Sequence, residues 1–144
     1  MARQRLPAEV VPQVAQAALI AAKRRPASAA ANGPANERWS VESRGGDVAQ
    51  LEIPAHASRE RRFEVYCSFV VMHRDGGAAQ HALRVLVDGA HEWSRRVPTD
   101  NGARDTLDLR FRRTVPVGRA LRVTAIGEAE GATPLGLTIS AEED

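Results

Sequence analysis

The sequence predicts an all-β fold: an antiparallel two-sheet β-sandwich, jelly-roll-like, preceded by an N-terminal arm that contains a short helix. Two observations support this prediction. From Trp39 to Ile139, apolar residues recur at every second position in short segments, which is the spacing of strands with one buried face. Eight such segments follow one another at a spacing of about 10 to 15 residues with no helical segment between them, a pattern typical of sandwiches.

Each predicted strand is defined by side chains two positions apart. In chain order the sets are Trp39 and Val41; Ala49, Leu51 and Ile53; Phe63, Val65, Cys67, Phe69 and Val71; Leu83, Val85 and Val87; His91, Trp93, Arg95 and Val97; Leu107, Leu109 and Phe111; Leu121, Val123 and Ala125; and Leu135, Leu137 and Ile139. The dipeptide Asp88-Gly89 favours a tight hairpin with positive φ between the fourth and fifth strands. A jelly roll is the preferred topology, and immunoglobulin-like or galactose-binding-like sandwiches would give a similar spacing.

The first 36 residues differ from the rest because alanine and proline replace the alternating pattern. Three regions follow: an arm over 1–36, a sandwich over 37–141 and a solvated acidic tail over 142–144. Within the arm, apolar residues at three- and four-residue steps predict an amphipathic helix of about three turns that begins near Pro12 and ends at the basic run before Pro26. The residues that we expect to bind a partner are Arg3, Arg5, Val11, Val14, Leu19, Arg24 and Arg25.

Charge is unevenly distributed. Five basic residues against Glu9 give 1–35 a net charge of +4, and the remainder carries −2 within the total of +2. No segment approaches the roughly 20 apolar residues of a membrane span, and a cleaved secretory signal has only weak support. The segments around Arg59 and Arg110 contain several arginines, but interspersed acidic residues favour solvated or ion-paired strands over nucleic-acid binding.

Catalytic and metal-binding patterns are missing from the sequence. Cys67, the single cysteine, lies within an apolar strand, which predicts a buried, inert thiol and excludes an intramolecular disulfide. No serine lies in a nucleophile motif, and the four histidines lack metal-ligand spacing. We therefore expect no catalytic residue, no metal and no cofactor, and a protein that is not an enzyme.

Trp93 is the side chain most suggestive of a ligand, because an exposed tryptophan beside a loop can stack on a sugar. His91, Asp88 and Asn101 could add hydrogen bonds, although tryptophan on a strand more often buries its ring. The segment from Val85 to Gly89, followed by Trp93 and by Val115-Pro116-Val117-Gly118, is similar in style to carbohydrate-binding jelly rolls.

The preferred functional hypothesis is a non-enzymatic assembly protein. A small sandwich with a basic arm resembles capsid decoration proteins, so we expect a phage virion component, such as a decoration (cement) or head/tail accessory protein, that binds other protein subunits of a lattice and forms a homo-oligomer. The expected location is the virion, or otherwise the cytoplasm. The alternative is a carbohydrate-binding or host-recognition module.

Overall fold

The computed structural model describes residues 36–73, 76–100 and 102–144. The predicted helix of the arm and the seven arm residues expected to bind a partner lie outside this part of the chain. Asn101 also lies outside it. The described residues form eight strands: β1 (Arg38–Arg44), β2 (Val48–Ile53), β3 (Arg61–Met72), β4 (Gln80–Val87), β5 (Ala90–Pro98), β6 (Arg104–Val115), β7 (Leu121–Glu130) and β8 (Thr133–Glu143). All eight strands coincide with the predicted alternating segments. No helix long and apolar enough to cross a membrane occurs among the described residues.

The strands form two antiparallel four-stranded sheets. The first sheet has the order β1-β8-β3-β6, and the second has the order β2-β7-β4-β5. Strand β1 pairs with β8, β2 with β7, β3 with β6 and β4 with β5. In these pairs the first half of the chain, β1 to β4, runs antiparallel to the second half, β5 to β8, as in one long hairpin. Successive pairs along this hairpin lie alternately in the first and the second sheet. The strand order is therefore that of a jelly roll, and the predicted fold class is confirmed.

The core lies between the inward faces of the two sheets, where the alternating apolar residues meet. The largest fully buried apolar side chains include Phe63 and Phe69 on β3, Leu51 on β2 and Leu83 on β4. Because Gly127 on β7 has no side chain, the ring of Phe69 fills the space beside it: a Cβ atom at Gly127 would lie 2.6 Å from Phe69 Cε1. This close approach joins the two sheets at the centre of the core.

The hairpin between β4 and β5 has the predicted turn. Asp88 and Gly89 both have positive φ, at 51° and 85°, as a type I′ turn requires. The Asp88 carboxylate also accepts a hydrogen bond from the Arg122 amide at 2.9 Å, which attaches the turn to β7. Further along, the register between β4 and β5 shifts after Val85, so that Glu92 is the extra residue of a bulge.

One predicted boundary is wrong. The acidic residues 142–144 do not form a solvated tail, because β8 continues through Glu142 to Glu143 and the Glu143 side chain is only 6% exposed. Glu143 is buried because its side chain pairs with Arg59, which the loop between β2 and β3 brings to the end of β8. The charge pattern alone suggested solvent, whereas ion pairing makes burial possible.

Candidate binding surfaces

The outer face of the second sheet carries the largest group of partly exposed aliphatic residues. Val48 on β2 pairs with Ile126 on β7, and Leu86 on β4 pairs with Thr124 on β7. Ala82 lies on the same side of β4. Thr124 and the four aliphatic side chains are all half-buried at positions that point away from the core. We call the four aliphatic residues, Val48, Ala82, Leu86 and Ile126, the apolar strip; the exposed Arg84, which pairs with Ile126, lies between Ala82 and Leu86 on β4.

The apolar strip is bordered by charged and polar side chains. Arg96 on β5 donates a hydrogen bond to Glu128 on β7 at 2.8 Å across the face. Arg96 lines two shallow depressions of about 420 and 460 Å³. The first is lined mainly by Ala82, Arg84, Ser94, Arg96, Ile126 and Glu128. The second lies along Gln80, Arg96, Pro98 and Glu130. The face therefore combines apolar contact area with arginines and carboxylates at its border.

The outer face of the first sheet is different. Its larger apolar side chains, Tyr66, Val70 and Met72, all lie on β3. Small polar residues, including Ser140 and Thr138, lie opposite β3 on the neighbouring β8. This face therefore has a single apolar row, whereas the apolar strip of the second sheet extends across three adjacent strands.

The described residues of the predicted ligand site, Asp88, His91 and Trp93, do not lie together on one surface. His91 is exposed and pairs with Leu86 on the outer face, whereas Trp93, on the other side of the bulge, pairs with the inward-facing Val85 and packs against the core. The Asp88 carboxylate is hydrogen-bonded to the Arg122 amide at the turn.

Trp93 lies half-buried beside β6, on the side of the sandwich where both sheets end. There Glu92 on β5 accepts a hydrogen bond from Arg113 on β6. The Arg113 guanidinium lies 5.7 Å from the centre of the Phe111 ring. The tryptophan therefore has the geometry of core packing.

A buried ion network joins the first described residues to the end of β8. Its members are Glu37, Arg59, Arg61 and Glu143. Arg61 donates to Glu37 at 2.9 Å with both side chains at most 5% exposed, and it also donates to the Pro54 carbonyl at 2.8 Å. Arg59 bonds to both carboxylates, and its pKa is raised, chiefly by the hydrogen bond to Glu143.

The sequence showed the arginines of this network but not their partners. The carboxylates lie 22 or more positions away along the chain, so no local pattern relates them. The sequence alone leaves Arg59 and Arg61 available to bind a ligand, but in the structure both form ion pairs within the fold.

Cys67 and His81 are also enclosed. Cys67 is fully buried, and desolvation raises the pKa of its thiol to about 12, so the expectation of an inert structural thiol is confirmed. His81 is fully buried inside β4. Its Nδ1 lies 2.7 Å from Thr99 Oγ1, and burial lowers its pKa. The described residues contain no group of His, Cys, Asp or Glu side chains able to hold a metal ion.

The sequence matches no protein-family model, and no curated protein is similar to it. Solved structures do show similarity. One is latent dimeric PorU from Porphyromonas gingivalis, with 13% identity over 68% of this chain, a TM-score of 0.43 and only 10% of that chain covered. Another is a carbohydrate-binding module from Cellvibrio mixtus lichenase 5A in complex with cellotriose, with 13% identity, coverage of 83% and 86%, and a TM-score of 0.35. A third is the T13 viral particle of IBDV, with 11% identity, coverage of 74% and 35%, and a TM-score of 0.31. At these identities and TM-scores, the similarities assign no function.

Proposed function

We propose that this protein is a non-enzymatic assembly component that binds another protein through the outer face of its second sheet. The observation that supports this proposal is the apolar strip, which no described residue covers. In antiparallel sheets with one solvated face, outward positions are normally polar, whereas partly exposed apolar side chains interspersed with arginine are typical of a protein interface.

The reactive side chains of the described residues agree with a non-catalytic role. Cys67 is protonated at neutral pH because its pKa is about 12, and Arg59 and Arg61 are held in the buried ion network. Arg84 and Arg96, in contrast, lie on the same outer face as the apolar strip, and arginine is enriched at protein interfaces because its guanidinium is planar and weakly hydrated.

Within this class, we favour a virion component such as a capsid decoration or head/tail accessory protein, with the basic arm as a second contact on a neighbouring subunit. Such a protein stabilises a lattice by burying surface, and its binding free energy adds to that of the assembled state. Its location would be the virion.

The experiment is velocity sedimentation of particles from cells that produce the full-length chain. The wild type should co-sediment with large protein particles, whereas Ile126→Arg, which places a charge in the apolar strip, should remain in the slow fraction. Val70→Arg is the matched control, because it makes the same kind of change on the outer face of the first sheet. A wild type found only in the slow fraction, or Ile126→Arg that still co-sediments, would contradict the proposal.

A carbohydrate-binding module is the second candidate, favoured by the two adjoining depressions beside Arg96 and Glu128. Side chains with planar polar groups there, such as Arg84, Gln80 and Glu130, could hydrogen-bond to sugar hydroxyls. No Trp, Tyr or Phe lies on this face among the described residues, which is why we rank it second. If glycan binding is found on an array of plant and bacterial polysaccharides and is lost in Arg96→Ala, the carbohydrate hypothesis replaces the first.

A further inference from the structure

Strand β6 is a long free edge of the first sheet. Its twelve residues, Arg104–Val115, pair on one side with β3 in an unbroken register, and no described strand pairs with its other side. An edge of this kind presents a row of backbone donors and acceptors, and it can add another strand.

The other edge strands are shorter or interrupted. Strands β1 and β2 have seven and six residues. Strand β5 has nine, but it contains the bulge at Glu92 and ends at Pro98, and both features hinder pairing with another strand. Among the four edges, only β6 is long, regular and without proline.

The sequence of β6 is complementary to itself in one antiparallel register, the register that sets Leu109 opposite Leu109 of a second copy. Asp108 then faces Arg110, Leu107 faces Phe111, and Asp105 faces Arg113. Two-fold symmetry makes each of these contacts occur twice. Every acidic residue of the strand thus meets an arginine, and the apolar residues meet one another.

Neighbouring registers that keep inward side chains on the inward face lack this match. A shift that centres the pairing on Asp108 sets Asp108 against itself and Arg104 against Arg112. A shift that centres it on Arg110 sets two copies of Arg110 against each other. Like charges directly opposite are destabilising, so the charges on β6 select the register centred on Leu109.

Three side chains of β6 that take part in this register are held by contacts within the chain. Tyr66 on β3 donates a hydrogen bond to Asp108 at 3.2 Å, and Arg110 stacks over the Tyr66 ring with its guanidinium carbon 4.5 Å from the ring centre. The Asp105 carboxylate accepts hydrogen bonds from the backbone amides of Asp100 and Thr106. A carboxylate has about four acceptor sites, so it can still accept a bond from Arg113 of a second copy.

We propose that two copies of this chain associate through antiparallel β6–β6 pairing centred on Leu109, which joins their first sheets into one continuous eight-stranded sheet. The dimer is independent of the apolar strip, which lies on the second sheet. It therefore goes beyond the proposed function, and either can fail without the other.

The test is analytical ultracentrifugation of the full-length chain over a concentration series at low ionic strength, where charge pairs are least screened. Asp108→Arg and Arg110→Asp should each weaken dimerisation by about tenfold or more, because each replaces two attractive pairs with two repulsive ones. The double variant should dimerise again, and an equimolar mixture of the two single variants should form heterodimers. Glu42→Arg, on β1 at the far edge of the same outer face, is the matched control and should dimerise like the wild type.

Any of three results would overturn the proposal. The wild type could stay monomeric at several hundred micromolar, the single variants could dimerise as strongly as the wild type, or the double variant and the mixture of single variants could fail to dimerise. A second measurement uses the wild type alone, so it does not depend on the folding of any variant. Hydrogen exchange of β6 backbone amides should slow as the protein concentration rises, while that of β1 amides should not. Equal concentration dependence of the two strands would also overturn the proposal.

Discussion

At the scale of single residues, the contact between Gly127 and Phe69 leads to a stability prediction. A methyl group at position 127 would lie 2.6 to 2.8 Å from three atoms of the Phe69 ring, and this ring is enclosed in the core and cannot move without displacing its neighbours. Overpacking of this kind costs about 1 to 3 kcal/mol. Gly127→Ala should therefore lower the free energy of unfolding by that amount in urea denaturation.

Gly136→Ala is the matched control for this substitution. Gly136 lies in β8, and a Cβ atom there would have no neighbour within 4 Å. The control should unfold at a urea concentration close to that of the wild type, since it adds the same methyl group to a strand without a clash. Equal destabilisation by both substitutions would show that the Phe69 contact does not determine the effect.

His81 makes the stability of the fold dependent on pH. Burial lowers its pKa below the ordinary value of 6.5, and Asp105 and Asp100 oppose this shift only in part. Its Nε2 has no hydrogen-bond partner among the described residues. Because the unfolded chain binds a proton at a higher pH than the folded chain, the stabilisation is complete above pH 6.5 and is lost as the pH falls from there toward the folded pKa.

Chemical denaturation between pH 7.5 and 5 should thus show a free energy of unfolding that decreases toward acid by at most about 1.4 kcal/mol per pH unit from this group. His81→Gln should flatten that dependence, whereas His91→Gln, at an exposed position of β5, should keep the wild-type slope. If all three proteins have the same slope, His81 does not determine the acid sensitivity.

At the scale of structural elements, the ion network connects the start of β1, the loop before β3 and the end of β8. Removing one charge from a buried pair leaves the other without compensation, which typically costs about 3 to 5 kcal/mol. Glu37→Gln should destabilise the protein by that amount in denaturant unfolding, because Arg61 is only 2% exposed and keeps its charge. Glu142→Gln is the control: its pair with Arg38 spans 4.0 Å with both side chains more than 60% exposed, so its loss should cost less than about 1 kcal/mol.

The elements themselves could be predicted from the sequence, and the network could not. Strands such as β3 and β6 follow from the alternation of apolar and polar residues, which is a local signal. The network depends on Glu37 meeting Arg61 and on Glu143 meeting Arg59, contacts across 24 and 84 positions that only the fold creates. For the same reason, the sequence placed Glu143 in a solvated tail, since an acidic cluster carries no sign of its distant partner.

At the scale of the whole molecule, the sequence predicted a two-sheet sandwich with a jelly roll as the preferred topology, but strand spacing alone could not distinguish it from an immunoglobulin-like sandwich. Strand spacing is similar in both, and the difference lies in which strands pair. Pairing β1 with β8 joins the two ends of the described chain, and this contact has no local counterpart. The apolar strip was missed for a related reason: Val48, Leu86 and Ile126 come from three separate strands, and only the second sheet brings them together.

The pairing of β1 with β8 also predicts where the folded unit begins. A chain that starts at Asn36 keeps Glu37, Trp39 and all of β1, so it should unfold with the same denaturation midpoint as the full-length protein. A chain that starts at Ser40 loses Glu37, which pairs with both Arg59 and Arg61, and Trp39, whose indole nitrogen donates to Glu37 at 3.0 Å. It should be less stable by at least about 3 kcal/mol, because the buried Arg61 loses its carboxylate partner, whereas Arg59 keeps Glu143. If the chain from Asn36 is itself strongly destabilised, residues 1–35 contribute to the folded core, and the boundary predicted at position 36 is wrong.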